Sequence, residues 1–250
     1  MKNDKKSKHN RTMKLNKLPL FALTALLLSG CSDSDEPTDN NTAQEPELKE
    51  ATADYVEHTV RPTYSAMSEA AIRMRDLCHT MQLRHAAGTL TTADIKAAGE
   101  AWKEARKNWE LSEAFLFGPA ANHNIDPHID SWPLDKAAMD NLLVQIRNGN
   151  QWSLENNGGY GLIGFHAVEY MLFELSDDEN SSLVHSVNYT PEEMEYLVAV
   201  ADDLCQQCVC LEACWAGTEN LPEARRQILE EAELDYGENY GWEMINAGKA

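Results

Sequence analysis

The sequence predicts an all-α fold, an antiparallel helical bundle, on three observations. From about Glu47 onward the apolar residues recur at helical spacings, without the sustained alternation of apolar and polar positions that strands require. Helix punctuation is strong at Thr91-Thr92 with Asp94 in the first turn, at Gly118-Pro119, and at Thr190-Pro191-Glu192-Glu193. One segment, Gly161 to Phe173, is apolar on nearly every face, the pattern of a helix enclosed by others.

In chain order, a first helix is expected from near Leu48 to Met81, interrupted or kinked at Pro62, whose ring removes one backbone hydrogen bond. A second starts at Thr91 or Thr92 and runs to Phe117, where Gly118-Pro119 ends it. A loop from Ala120 to Trp132 follows, and Pro133 sits where a third helix can begin, running to about Arg147. The Gly- and Asn-rich stretch from Asn148 to Gly161 is a long connection. A fourth helix covers roughly Leu162 to Glu174, and Thr190 caps a fifth that reads as helix through Trp215.

The segment ahead of these helices has the three parts of an export signal. A basic stretch (Lys2, Lys5, Lys6, Lys8, Arg11, Lys14, Lys17) precedes an apolar run from Leu18 to Leu28, which is shorter than the roughly 18–20 residues a spanning helix needs. The run ends at Leu28-Ser29-Gly30-Cys31, which resembles a lipobox, so residues 1–30 are expected to be a removable signal peptide and Cys31 the lipid-bearing first residue. Residues 31–46 then form an acidic tether with too little apolar surface to offset the entropy of ordering. Its Ser32-Asp33-Ser34-Asp35-Glu36 resembles a signal that sends some bacterial lipoproteins to the outer face of the outer membrane; the alternative is a merely solvated linker. Residues 47–250 are the helical domain. Cleavage removes seven of the 21 basic and one of the 41 acidic side chains, leaving 14 and 40 and a net charge of −26. Such a surface repels nucleic acid and anionic headgroups, attracts cations, and leaves the lipid as the membrane anchor. The expected location is the cell envelope, as an outer-membrane lipoprotein facing either the periplasm or the exterior.

Five cysteines remain besides Cys31: Cys78, Cys205, Cys208, Cys210 and Cys214. The last four suggest a metal cluster, but at about 100° per residue Cys205 and Cys208 fall on one side of the fifth helix and Cys210 and Cys214 on roughly the other. Four thiolates so placed cannot converge on one ion. Cys208 shares a stripe with Leu197, Ala201, Leu204, Leu211 and Trp215 and reads as core, while Cys210 and Cys214 are expected to be dispensable for metal binding. A disulfide to Cys78 is open in an oxidising compartment.

Chemistry concentrates on the fourth helix. Apart from the Tyr170 phenol, its ionisable groups before Glu174 are His166 and Glu169, three residues apart and therefore on one face. Buried in an apolar helix, both need partners. They read as a pair of metal ligands, with Gly164 keeping the backbone side open, or as a structural hydrogen bond or ion pair. The spacing alone is weak in a chain with eight His; the apolar context carries the weight. On the second helix Trp102, Arg106, Trp109, Glu113 and Leu116 recur at three and four. The tryptophans read as core; Arg106 and Glu113 either pair with each other or Glu113 supplies a third ligand. His123, Asp126, His128 and Asp130 add hard and borderline donors in the following loop, which is otherwise simply solvated.

Three runs together resemble the imelysin family: Trp102 through Pro119, Ile129-Asp130-Ser131-Trp132-Pro133-Leu134-Asp135, and Gly164-Phe165-His166-Ala167-Val168-Glu169-Tyr170, the last matching its Gly-x-His-x-x-Glu motif at Gly164, His166 and Glu169. The resemblance implies two helical bundles with the motif near their junction, a place in bacterial iron or haem acquisition, and an old classification among metallopeptidases. The chain ends about where family members pass into their second bundle, so it resembles a member truncated at the C-terminus. No His-Glu-x-x-His is present, as zinc proteases of that kind would require. The expected function is non-catalytic binding of iron, another divalent cation or an iron-bearing ligand at His166 and Glu169, with iron or haem uptake components as partners. A metallopeptidase and a metal-free interaction module are the alternatives. Proton competition at an ordinary imidazole would weaken cation binding from about pH 7 to 5.

Overall fold

The computed structural model describes residues 41–157, 159–173 and 186–247. The expected signal peptide, Cys31 and most of the tether lie outside them. The tether was expected to stay unstructured through residue 46, but helix α1 already begins at Asn41 and runs to Tyr55 (Asn41–Tyr55), through a stretch rich in the helix formers Ala, Gln, Glu, Leu and Lys.

Pro62 interrupts the first long helix as expected, and the interruption has a defined form. Its missing N–H deprives the preceding turn of a donor, and Val56–Val60 winds as a π-turn closed by the Arg61 N–H donating to the Val56 carbonyl. Helix α2 (Arg61–Ala86) continues from there. A short turn leads to α3 (Thr92–Leu111), whose start is fixed by a capping box: the Thr91 hydroxyl accepts from the Asp94 N–H, and the Asp94 carboxylate accepts from the Thr91 N–H at 2.9 Å.

The second helix does not reach Phe117. It tightens into a 3-10 turn over Ser112–Phe115, and the chain reverses at Gly118, whose φ of 65° suits glycine. The expected loop holds two short helices, α4 (Pro119–Asn122) and α5 (Ile125–Ile129), too brief to leave a periodicity in the sequence. Pro133 does not start the third helix: α6 (Lys136–Arg147) begins after Asp135, whose carboxylate caps it by accepting from the Ala138 N–H at 2.9 Å. Then follow α7 (Leu154–Asn157), a 3-10 turn at Tyr160–Leu162, α8 (Gly164–Leu172), α9 (Pro191–Ala216), a 3-10 turn at Thr218–Asn220, α10 (Glu223–Glu231) and α11 (Tyr240–Ala247). The fold is all-α, with no strand among the described residues.

The frame is α2 with α3 and α9 packed along it. Both run antiparallel to α2. Tyr64, near the start of α2, donates its hydroxyl to the Phe115 carbonyl beyond the end of α3. Along α9, Ser68 bonds the Cys208 carbonyl at 3.0 Å and His79 meets Asp202 at 2.8 Å. Helix α8 lies against α3 and α9: Trp102 donates to the Phe165 carbonyl at 3.0 Å, Tyr189 to that of Met171 at 2.6 Å and Tyr196 to that of Leu162 at 2.7 Å. The core between these helices holds Trp109, Trp215, Tyr64, Tyr196, Phe115 and Phe165, all fully buried. Burying a side chain of Phe size is worth about 1.5–3 kcal/mol, so these contacts fix α8 against the frame more firmly than its own short length does. All five described cysteines are buried and unbridged, with Cys208 in the core stripe as expected.

Candidate functional site

Gly164 opens α8 with a φ of 78°. A Cβ there would strike the Ile129 carbonyl oxygen and lie 2.6 Å from the Ile129 carbonyl carbon and 2.9 Å from the His128 oxygen. The expectation that Gly164 keeps the backbone side open is therefore corrected: α5 fills that side, and only glycine permits the approach. The consequence is chemical, because Asp130 directly follows α5 and the close approach delivers its carboxylate to His166.

His166 is bracketed. Its Nε2 lies 3.2 Å from Asp130 Oδ1, and its Nδ1 3.0 Å from Glu169 Oε2. Asp130 is itself held, accepting from Trp109 Nε1 at 2.7 Å and pairing with Arg106, which also reaches Glu110 at 2.6 Å. Burial alone would raise the Asp130 pKa, but bonds from His166, Arg106 and Trp109 outweigh it and hold the group down to about 2. The same bonds act on the imidazole in the opposite sense: Asp130 first, then Glu169, push the His166 pKa up to about 9. With a carboxylate at each nitrogen the ring carries two donor protons and is an imidazolium at neutral pH. Beneath it, Phe165 packs between Trp102 and Trp109, and the Arg106 guanidinium sits 5.3 Å from the Phe165 ring centre. Above it, Trp132 stands 71% exposed with its ring 4.8 Å from the imidazole.

Glu113 does not join the site. It is exposed on the 3-10 turn, and Arg106 pairs with Asp130 and Glu110 instead of with it. The expected face assumed α-helical phase through Phe117, and the tighter winding after Leu111 breaks that phase. The loop donors also separate. His128 goes to Asp203 with both oxygens at 3.0 Å, His123 goes to Glu238, and Asp130 goes to His166. Sequence reasoning named Asp130 and Arg106 but not their joint hold on the imidazole, which exists only because two segments meet at Gly164.

Imidazole nitrogen with carboxylate oxygen suits iron(II) and other first-row divalent ions. The donor set fits, with one limit: Asp130 and Glu169 lie at opposite nitrogens, and no third ligand atom converges on the pair among the described residues. The Asp130 side is also occupied by the Arg106 cation, which leaves His166 Nδ1 and Glu169 as the accessible pair.

Residues 60–245 match the family profile described as imelysin. The chain belongs to the imelysin family. Among curated relatives it is 27% identical over 211 residues to iron-regulated protein A of Synechococcus elongatus, covering 84% of this chain and 50% of that protein. Among solved structures it resembles a crystal structure described as an iron-regulated protein A precursor from Parabacteroides distasonis, with a TM-score of 0.57 and 27% identity over 80% of this chain and 55% of that one. This imelysin-family chain thus spans about half the length of the relatives it matches.

Proposed function

We propose that this chain is a non-catalytic, envelope-anchored lipoprotein that binds iron, another divalent cation or an iron-bearing ligand at His166 and Glu169, working with iron or haem uptake components. The observation that carries the reading is the bracketed imidazole: a nitrogen donor beside a partly exposed carboxylate, on a surface of strongly negative charge. The two relatives named for iron regulation support the iron link. One nitrogen and one carboxylate leave most of an iron ion's coordination unfilled, so the geometry favours iron that brings further ligands of its own. His166 would hold it through Nδ1 and Glu169 through Oε2, while Asp130 keeps the ring oriented from Nε2. Anchoring is through Cys31 and the tether of residues 31–46, in the outer membrane.

Calorimetric titration of the purified chain with iron(II), and separately with iron(III) citrate, tests this. Saturable binding that is lost in His166→Ala and releases about one proton per ion is expected, because the imidazolium must give up a proton to bind. No saturable binding of either probe, or binding unchanged in His166→Ala, removes the basis of the reading. A structural role has an observation of its own, since both ring nitrogens already have partners. In that case His166→Ala lowers the melting temperature strongly and alters no affinity.

A further inference from the structure

Away from His166, three segments distant in sequence bring unlike donors together. His123 follows α4, Cys214 lies in the last turn of α9, and Glu238 sits in the connection between α10 and α11. One ligand atom from each lies within 4.8 Å of the other two. The polar atoms are poorly served as they stand. His123 Nε2 is 3.0 Å from Glu238 Oε1 without a hydrogen bond between them, and both Nε2 and the second Glu238 oxygen, Oε2, are buried atoms without a hydrogen-bond partner. Buried polar atoms left in this state are costly, and such exceptions call for an explanation. The imidazole is also fixed in plane, stacked on Tyr236 with ring centres 3.7 Å apart and planes 10° apart. Cys214 is 2% exposed, and Cys210 lies one turn back on the same helix.

The geometry points to a metal site made by His123, Cys214 and Glu238, built for a zinc-class divalent ion. A thiolate excludes calcium and magnesium as the intended ion, whereas sulfur, nitrogen and oxygen donors together suit zinc and its first-row neighbours. Tetrahedral zinc with ligands at 2.0–2.3 Å sets its donors about 3.3–3.8 Å apart, so the present spacing, 3.0 Å between His123 and Glu238 and no more than 4.8 Å for any pair, needs only a modest adjustment. Three protein ligands leave a fourth position for water. On binding, the Cys214 S–H bond breaks, sulfur takes up the ion as thiolate, and the proton goes to solvent. The site shares no residue with the His166 site and draws on neither the iron reading nor its test. It also revises the expectation that Cys214 is dispensable for metal binding: the helix does separate its thiols into two groups, but the Cys214 side meets a histidine and a glutamate from elsewhere in the chain.

Cobalt(II) added to the purified, reduced full chain reports on this site directly, through the sulfur-to-cobalt charge-transfer absorption that only a thiolate ligand gives. The expected result is a band that saturates at one equivalent, is displaced by zinc, and persists in His166→Ala. Cys214→Ser abolishes it. Glu238→Gln, a change at a part-exposed carboxylate that leaves the core intact, keeps the fold and weakens cobalt binding by more than about tenfold. Absence of the band, its survival in Cys214→Ser, or undiminished affinity in Glu238→Gln overturns the proposal, as does a Cys210–Cys214 disulfide that persists in the chain purified without reductant.

Discussion

At His166 the protonation state follows from two carboxylates facing one ring, and it moves the pH window in which the site should respond. An ordinary imidazole would lose a competing cation between about pH 7 and 5, but with the pKa up at about 9 the proton is already present at pH 7. Iron(II) affinity should instead rise from about pH 7 to 9, by up to about tenfold per pH unit for one exchanged proton, and calorimetry across that range checks it. Stability has the opposite slope. The folded-state pKa lies above the unfolded value near 6.5, so the contribution of His166 is complete below about pH 6.5 and is lost as pH rises through 9. The melting-temperature gap between the wild type and His166→Gln should therefore shrink over that interval; a gap that stays constant would mean the imidazole is not held protonated. Gly164 is the second decisive residue. Alanine there meets both a positive φ and the α5 backbone, and should cost more than about 2 kcal/mol in urea denaturation, beyond the range of an ordinary surface change. His166 and Glu169 were legible in the sequence because an apolar helix isolates its ionisable groups. Asp130's role was not, because nothing local shows that its carboxylate meets His166.

At the scale of elements, legibility tracks how local the determining interaction is. The starts of α3 and α9 were readable because a capping box is complete within four residues, and Thr190 with Glu193 forms it as Thr91 and Asp94 do. The start of α6 was misplaced at Pro133 because a proline permits a helix start without requiring one, whereas Asp135 supplies the cap. Helices α4 and α5 are shorter than two turns and are held by their contacts rather than by pattern. Helix α10 shows a long-range determinant of another kind. Arg225, 7% exposed, ties it to the frame by donating to Ser65 and Glu69 at 2.9 Å each and by pairing with the buried Glu212. Burial pushes the Glu212 pKa up, and Arg225 opposes that shift. Arg225→Ala leaves this carboxylate without its cation and should cost about 3–5 kcal/mol, while Glu212→Leu combined with Arg225→Met should recover most of the loss. Denaturation midpoints of the single and double variants check this; equal losses in both would mean that packing, not charge, holds α10.

For the whole molecule, charge and anchoring are one problem. The expected mature chain carries a net charge of −26, and its acidic tether follows directly on Cys31, the proposed site of lipidation. Anionic headgroups repel a chain of that net charge, and no described helix is long and apolar enough to span a bilayer. On the lipoprotein reading proposed above, attachment would rest on the acyl chains at Cys31. Serine lacks the thiol that forms the thioether, so Cys31→Ser should remain unacylated. The variant should move from the membrane to the soluble fraction of gently lysed cells, with its helical circular dichroism unchanged, because Cys31 precedes every described helix. High salt should make no difference to the wild type, since screening cannot release an anchor that is not electrostatic. If Cys31→Ser still sediments with membranes after a high-salt wash, the lipid is not the anchor, and the export reading of the first 31 residues is wrong.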